Sequence, residues 1–299
     1  MVSRPQVYVI GSLGVEVIAY LGDEPPVVSY VQHAQSLTVL PSSVSALAAC
    51  VAARLGGKVA LFGQTSNDTW ADVTLKLCKR HAVDISGVER RLAHTPLLFS
   101  TQVARDHRPR YSYAALQKLI HLRDSLDTFA GQAGVCLIDG TYLDTMRDDI
   151  ERIKRKGFEV VCWLDSLELA SPITASTLKH LAGALKQVDI LLISRDMLGK
   201  LFPDTAWTDA GKRLAGTIPF VLCWHWGEPV HLFSGSRVRR FHAPSFAGVR
   251  DITGNQAALL GAFIYHYSDS GFLDDAIKQA GSLALTAKDW DRLELLQRL

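Results

Sequence analysis

The sequence predicts an α/β fold in which a doubly wound, mostly parallel sheet is covered by helices on both faces and carries a small antiparallel β lid. Short apolar runs recur along the chain, and segments with helical spacing lie between them. Continuous rather than alternating hydrophobicity is typical of strands buried on both faces. Alternating strands and helices favour a parallel sheet. The apolar runs span residues 7–11, 58–63, 135–140, 159–165, 189–194 and 219–224.

The composition is that of a globular protein. Of the 299 residues, 48% are hydrophobic and 21% are charged. This balance favours a folded chain over a disordered one, and we expect residues 1–299 to form a single domain. The net charge is +2, and Lys and Arg are spread along the chain, so nucleic acid is not an expected partner.

The first residues contain a short apolar run without the features of a signal peptide, and we expect them to form the first buried strand. No run of eighteen apolar residues occurs, so we expect no membrane span. The five cysteines are scattered among apolar neighbours and show no C-x-x-C spacing. These features predict a reduced, cytoplasmic protein.

The lid is predicted from two regions that resemble antiparallel strands more than strand–helix units. Residues 13–40 hold two apolar runs around the turn "DEPP", and residues 97–114 hold a hairpin around "RDHRPR". Strands inserted between the first elements of a doubly wound sheet would lie over the carboxyl ends of its strands, where ligands bind. We expect the lid to cover a crevice for a small molecule and to offer a homodimer contact.

The motifs of several large enzyme classes are missing from the sequence. Gly57-Lys58 is followed by Val59, so there is no P-loop, and "GSLG" at 11–14 is not G-x-G-x-x-G. H-E-x-x-H, G-x-S-x-G and paired Cys/His clusters are also missing. We therefore expect neither an ordinary dinucleotide-binding domain nor a metal site.

The segment "RDITGNQAALLGAF" at 250–263 has the pattern of a polar loop that leads into an apolar helix. We expect Thr253 and Gly254 to form a turn, after which the free N–H groups of the helix would favour a bound phosphate. The alternative interpretation is an ordinary glycine-containing loop before a core helix. The apolar stripe of that helix comprises Leu259, Leu260, Phe263, Ile264 and Tyr267.

This segment and three upstream segments resemble the PfkB (ribokinase-like) family of carbohydrate and nucleoside kinases. The family's late signature is D-T-T-G-A-G-D, which Asp251, Thr253 and Gly254 match. The resemblance implies a ribokinase-like three-layer fold and ATP-dependent phosphoryl transfer to a hydroxyl of a sugar or nucleoside, with Mg²⁺. The upstream segments are "CVAARLGGKVALFGQTSND" at 50–68, "KRHAVDISGV" at 79–88 and the hairpin at 97–114.

The chain departs from this signature at the positions that carry the chemistry. The resemblance places the family's catalytic base, the closing Asp, on Ala257, and a methyl group cannot accept a proton. Loss of a positioned general base typically costs about 10²–10⁴ in rate. The anion hole would comprise Thr253, Gly254, Asn255 and Gln256, where Asn255 and Gln256 replace a small residue and a glycine that lets the backbone approach a phosphate.

The substrate positions of the family also differ here. The resemblance places a sugar-contacting pair of glycines on Ser42 and Ser43, and an early sugar-binding Asp on Glu16. Glu16 is a longer carboxylate that could still accept hydrogen bonds. The alternative interpretations are helix capping for the two serines and a solvated carboxylate on the lid for Glu16.

The nucleotide and metal positions are altered as well. The family's T-x-G-x-x-G segment becomes "HWGEPV", which keeps Gly227 but begins with His225. Its metal-associated N-x-x-E segment becomes "SRDM", with Ser194 and Met197 at the two positions. Because Mg²⁺ prefers oxygen ligands, Met197 is a poor partner for it.

Two functional hypotheses follow. In the first, the protein is a pseudokinase that keeps the fold and binds a ligand or partner, with ATP and Mg²⁺ binding weakened. In the second, it is an active small-molecule kinase of unusual specificity in which Glu16 or Asp251 replaces the missing base. A single engineered change at Ala257 would not explain the replacements at Ser42 and Ser43.

Overall fold

A computed structural model describes most of the chain, and the statements below refer to those residues. They are 6–22, 33–103, 106–113, 134–143, 145–165, 181, 183–225, 228–241 and 249–299.

The main sheet has nine strands, in the order β13-β12-β11-β10-β9-β8-β1-β4-β5 when strands are numbered along the chain. Seven neighbouring strands, β11-β10-β9-β8-β1-β4-β5, are parallel. Each predicted apolar run forms one of these seven strands, so the predicted fold class is confirmed. At one edge, β12 and β13 continue the sheet with antiparallel pairing, which the sequence did not predict. The strands are β1 Gln6–Ile10, β4 Lys58–Ser66, β5 Asp84–Leu92, β8 Gly134–Asp139, β9 Phe158–Leu164, β10 Ile190–Ser194, β11 Phe220–Trp224, β12 Val230–Ser234 and β13 Arg237–Phe241.

A smaller four-stranded sheet is formed by the predicted lid regions. Its order is β3-β2-β6-β7. Each hairpin is antiparallel, whereas β2 and β6, which join the two hairpins, pair in parallel. The predicted turn "DEPP" lies outside the described residues. The strands are β2 Val15–Tyr20, β3 Ser36–Pro41, β6 Leu97–Val103 and β7 Asp106–Tyr113.

Helices cover both faces of the main sheet. The described residues include α1 Val44–Arg54, α2 Thr69–Arg80, α3 Arg147–Arg155, α4 Arg195–Leu201, α5 Trp207–Ala215, α6 Ile252–Ser270, α7 Leu273–Thr286 and α8 Arg292–Arg298. One apolar core contains residues of α1, α2, α6, α7 and α8, and a second core contains residues of α3, α4 and α5.

The first strand shows why the strand segments are continuously apolar. Val7 and Val9 belong to the core on one side of the sheet, and Tyr8 and Ile10 belong to the core on the other. Successive side chains of a strand point to opposite faces, so a strand covered on both sides needs apolar residues throughout. All five cysteines are buried and free. In the described part of the chain, no helix is long and apolar enough to cross a membrane.

Candidate functional site

The carboxyl ends of the parallel strands meet at one edge of the main sheet, where polar side chains collect. Ser12 follows β1, Asp139 ends β8, Asp165 follows β9 and Ser194 ends β10. All four side chains are buried. Ligands of doubly wound sheets bind outside this edge, so these residues line the candidate crevice.

The first turn of α6 lies at this edge, and its geometry differs from the predicted one. The helix begins at Ile252, so Thr253 and Gly254 lie inside its first turn and do not form a separate turn before it. Asp251 is the N-cap, and its carboxylate accepts a hydrogen bond from the Gly254 N–H over 3.1 Å. That donor is therefore already engaged within the protein.

Asn255, Gln256 and Ala257 are all buried, and the two amide side chains are hydrogen-bonded within the protein. The Asn255 amide donates to the carbonyl oxygen of Ala284 over 2.6 Å. The Gln256 amide donates to Oδ2 of Asp165. Ala257 is 0% exposed and packs in the apolar core. The side chain of residue 257 therefore offers no proton acceptor.

Asp165 connects this turn to the start of α4. Its Oδ1 atom accepts a hydrogen bond from the Ser194 hydroxyl over 3.1 Å. Ser194 is the N-cap of α4 and accepts from the Met197 N–H over 3.2 Å. Asp165 was not among the predicted site residues, although its place at the end of the apolar run 159–165 was a usable signal.

Asp139 is a second acidic residue that the sequence analysis missed. Its Oδ1 accepts a hydrogen bond from the Thr141 hydroxyl at 2.8 Å, and its Oδ2 accepts one from the Ser45 hydroxyl at 3.1 Å. The Ser12 hydroxyl lies 3.4 Å from Oδ2 and 3.2 Å from Oγ of Ser43. A cluster of hydroxyl groups therefore surrounds one buried carboxylate beside α1.

Ser42 and Ser43 connect the small sheet to α1. Ser43 is the N-cap of that helix, because its hydroxyl accepts from the Ala46 N–H over 3.2 Å. The capping interpretation thus describes the contacts of Ser43. Ser42 is half-buried, and its N–H donates to the Gly14 carbonyl over 3.0 Å.

Arg292 joins the two carboxylates that were considered as replacement bases. Its Nε lies 2.8 Å from Oδ2 of Asp251, and Nη1 lies 2.8 Å from Oε2 of Glu16. Glu16 is fully buried, so the solvated alternative for this residue was wrong. Burial is the largest single influence on Asp251 and would raise its pKa, but the charge of Arg292 and the hydrogen bonds from Arg292 and the Gly254 N–H together outweigh it and lower that pKa. Arg292 was not among the predicted site residues, because charged residues are rarely buried.

The remaining predicted positions lie farther along the sheet edge. His225 follows β11, is partly exposed, and its Nδ1 lies 3.7 Å from Oδ1 of Asp196. Gly227 lies outside the described residues. Among the residues that the structure describes, no group of three His, Cys, Asp or Glu side chains could hold a metal ion. Met197 is fully buried in the apolar core and carries no oxygen ligand for Mg²⁺.

Comparisons with known proteins agree with this architecture. Residues 7–289 match the family described as pfkB family carbohydrate kinase. No curated protein matches the sequence.

Solved structures of low sequence identity share the fold. The ribokinase of Arabidopsis thaliana, solved with ribose and ATP, is 17% identical with a TM-score of 0.77 over 99% of this chain and 99% of that chain. The aminoimidazole riboside kinase of Salmonella enterica, solved with aminoimidazole riboside and an ATP analogue, is 18% identical with a TM-score of 0.76 over 97% of this chain and 96% of that one. A fructokinase double mutant from Vibrio cholerae, solved with fructose, ADP and potassium, is 16% identical with a TM-score of 0.77 over 98% and 96% of the two chains.

Proposed function

The chain belongs to the pfkB family of carbohydrate kinases, and we propose that its crevice binds a small molecule while phosphoryl transfer is lost or greatly slowed. The observation that carries this proposal is Ala257, which is 0% exposed at the position of the family's catalytic base. A buried methyl group neither accepts a proton nor orients a hydroxyl.

The two replacement bases are poorly suited to the role. Glu16 and Asp251 are both buried and both paired with Arg292. A general base must be free to take a proton within hydrogen-bond reach of the substrate. The lowered pKa of Asp251 makes it a weaker base still. These contacts favour the pseudokinase hypothesis over the active-kinase alternative.

The anion-binding turn also supports weakened nucleotide binding. The Gly254 N–H already donates to Asp251, and the Gln256 side chain donates to Asp165. A phosphate at this turn would compete with both contacts. Because Met197 is buried in the core, Mg²⁺ would have to be held by other groups.

The chemistry of the crevice favours a ligand that carries hydroxyl groups, such as a sugar or nucleoside. Hydroxyls of Ser12, Ser45 and Thr141 surround Asp139, and Ser42 lies half-exposed where the small sheet joins α1. Carboxylates and hydroxyls are the groups that exchange hydrogen bonds with such ligands.

We further propose that the protein forms a homodimer through the small sheet. Paired residues of adjacent strands share a face, so Leu37, Val39 and Phe99 lie on the face opposite Glu16. These side chains are 65%, 39% and 39% exposed. A contiguous exposed apolar face is typical of a protein contact.

Thermal unfolding tests ligand binding directly. The purified protein would be heated alone and with Mg-ATP, ADP, sugars or nucleosides, since a ligand at a hundred times its Kd stabilises a protein by about 2.7 kcal/mol. A shift with a sugar or nucleoside would support the proposal. No shift with any compound would contradict ligand binding.

Restoring the family residues tests the loss of phosphoryl transfer. The triple variant Asn255→Ala, Gln256→Gly, Ala257→Asp would be compared with a matched triple that carries Ala257→Asn, which has the shape of Asp without its basicity. Turnover in the first variant only would support the proposal. Efficient turnover by the unaltered protein, abolished by Glu16→Gln or Asp251→Asn, would favour the active-kinase alternative.

A further inference from the structure

We propose that Arg292 clamps the hinge between the small sheet and the main sheet, so that the crevice opens only when Arg292 releases Glu16 and Pro41. This conformational role belongs to the C-terminal helix α8. It goes beyond ligand binding and holds whether or not phosphoryl transfer survives.

On the side of the main sheet, Arg292 is fixed to the start of α6. Its Nε and its backbone N–H donate to Oδ2 of Asp251 over 2.8 and 3.1 Å, and its Nη2 donates to Oδ1 over 3.1 Å. Such paired bonds between a guanidinium and a carboxylate fix orientation as well as distance. The remaining nitrogen, Nη1, is therefore held in one direction.

On the side of the small sheet, Nη1 reaches two of the points where the chain crosses between the sheets, at the start of β2 and the end of β3. It lies 2.8 Å from Oε2 of Glu16, the second residue of β2, and donates over 2.8 Å to the carbonyl of Pro41, the last residue of β3. The other oxygen of Glu16 accepts from the Ser100 hydroxyl of β6 over 2.8 Å. One side chain is thereby connected to both hairpins.

Helix α8 is itself held in place by several contacts. Asp291 and Glu294 form a reciprocal capping box at its start. Glu294 also pairs with Arg250 over 2.9 Å, just before α6. A side chain at Gly254 would meet the backbone of Arg292 at 3.2 Å, so α8 lies directly against α6.

The geometry of these contacts suits a role in positioning. A buried ion pair is often no more stabilising than apolar residues of similar volume, whereas its fixed geometry can select one arrangement of the parts it joins. Here the joined parts are the hinge strands of the small sheet and the first turn of α6.

Distances between spin labels test the clamp. One label would be placed on the small sheet by Ser36→Cys, on the face that carries Glu16 and away from the proposed dimer contact, and one on α4 by Lys200→Cys, both at exposed positions. The five native cysteines are buried, and the protein without added cysteines would control for their labelling. A pair within the main body, Lys79→Cys with Lys200→Cys, provides the matched reference.

With the clamp intact, we expect one distance distribution for the first pair. In the unaltered protein the open state should be a minor population, typically roughly 0.1–10%. In Glu16→Gln we expect the longer, open-state distance to become the major population. The reference pair should not change. Glu16→Asp, which keeps the charge but shortens the side chain, serves if Glu16→Gln does not fold, and should move the distribution in the same direction.

Two results would overturn the proposal. The first is an unchanged distribution for the first pair in a folded Glu16 variant. The second is an equal broadening for both pairs, which would indicate general loosening of the protein. In either case Arg292 would contribute to stability without controlling the hinge.

Discussion

The Nε atom of Arg292 lies 2.8 Å from Oδ2 of Asp251, and the two side chains are buried together. Removing the guanidinium would leave Asp251 and Glu16 buried without their cation. We expect Arg292→Ala to lower the free energy of unfolding by about 3–5 kcal/mol, measured by urea denaturation. Arg90→Ala is the control, since Arg90 and Asp72 form an exposed pair whose loss should change stability little. Similar losses in the two variants would contradict the prediction.

Acid stability should depend on Asp251. Its pKa is lowered in the folded state, so it favours the folded protein at a pH above its unfolded pKa of about 3.9. This contribution is lost as the pH falls through the lower, folded value. We expect the free energy of unfolding to decrease below about pH 4 less steeply in Asp251→Asn than in the unaltered protein. The free energy of unfolding would be measured by urea titration above and below about pH 4. An equal decrease in Asp251→Asn and the unaltered protein would show that Asp251 is not responsible.

The bond between Gln256 and Asp165 should be sensitive to charge. Gln256→Glu would place two carboxylates in one buried site, and like charges at such a site cannot easily ionise together. We expect this variant to be destabilised at pH 7 and to recover partly as the pH is lowered and one carboxylate takes up a proton. Thermal midpoints measured across pH test this. Gln256→Met, similar in size and uncharged, should lack the recovery at low pH.

The proposed dimer depends on the outer face of the small sheet. We expect Leu37→Glu to convert a dimer into a monomer in sedimentation experiments, because it places a charge among Val39 and Phe99. Phe272→Glu alters a residue that is 68% exposed at the start of α7 and should leave the mass unchanged. A monomeric unaltered protein, or a Leu37→Glu variant that stays dimeric, would contradict the proposal.

The sheet strands could be predicted because a strand buried on both faces is continuously apolar in sequence. β13 could not be predicted in this way, since it lies at the sheet edge and carries exposed arginines in place of an apolar run. Asp139 and Asp165 stand directly at strand ends and could have been found from that position alone. Arg292 could not, because its partnership with Asp251 joins segments 41 residues apart and only the folded chain brings them together.

The start of α6 shows a further limit of pattern reading. Thr253 and Gly254 fit a turn in the sequence, yet the carboxylate of Asp251 caps the helix and places them in its first turn. Helix boundaries depend on which side chain captures the first N–H groups, and several residues of this segment could do so.

Gly254 has a packing role as well as a place in the family motif. Because a Cβ atom there would lie 3.2 Å from the Arg292 backbone, the packing of α8 favours a glycine at this position. Packing thus favours this glycine whether or not the reaction occurs. Gly254 by itself is therefore weak evidence for catalysis, whereas residue 257, which the resemblance assigns to the base, bears on it directly.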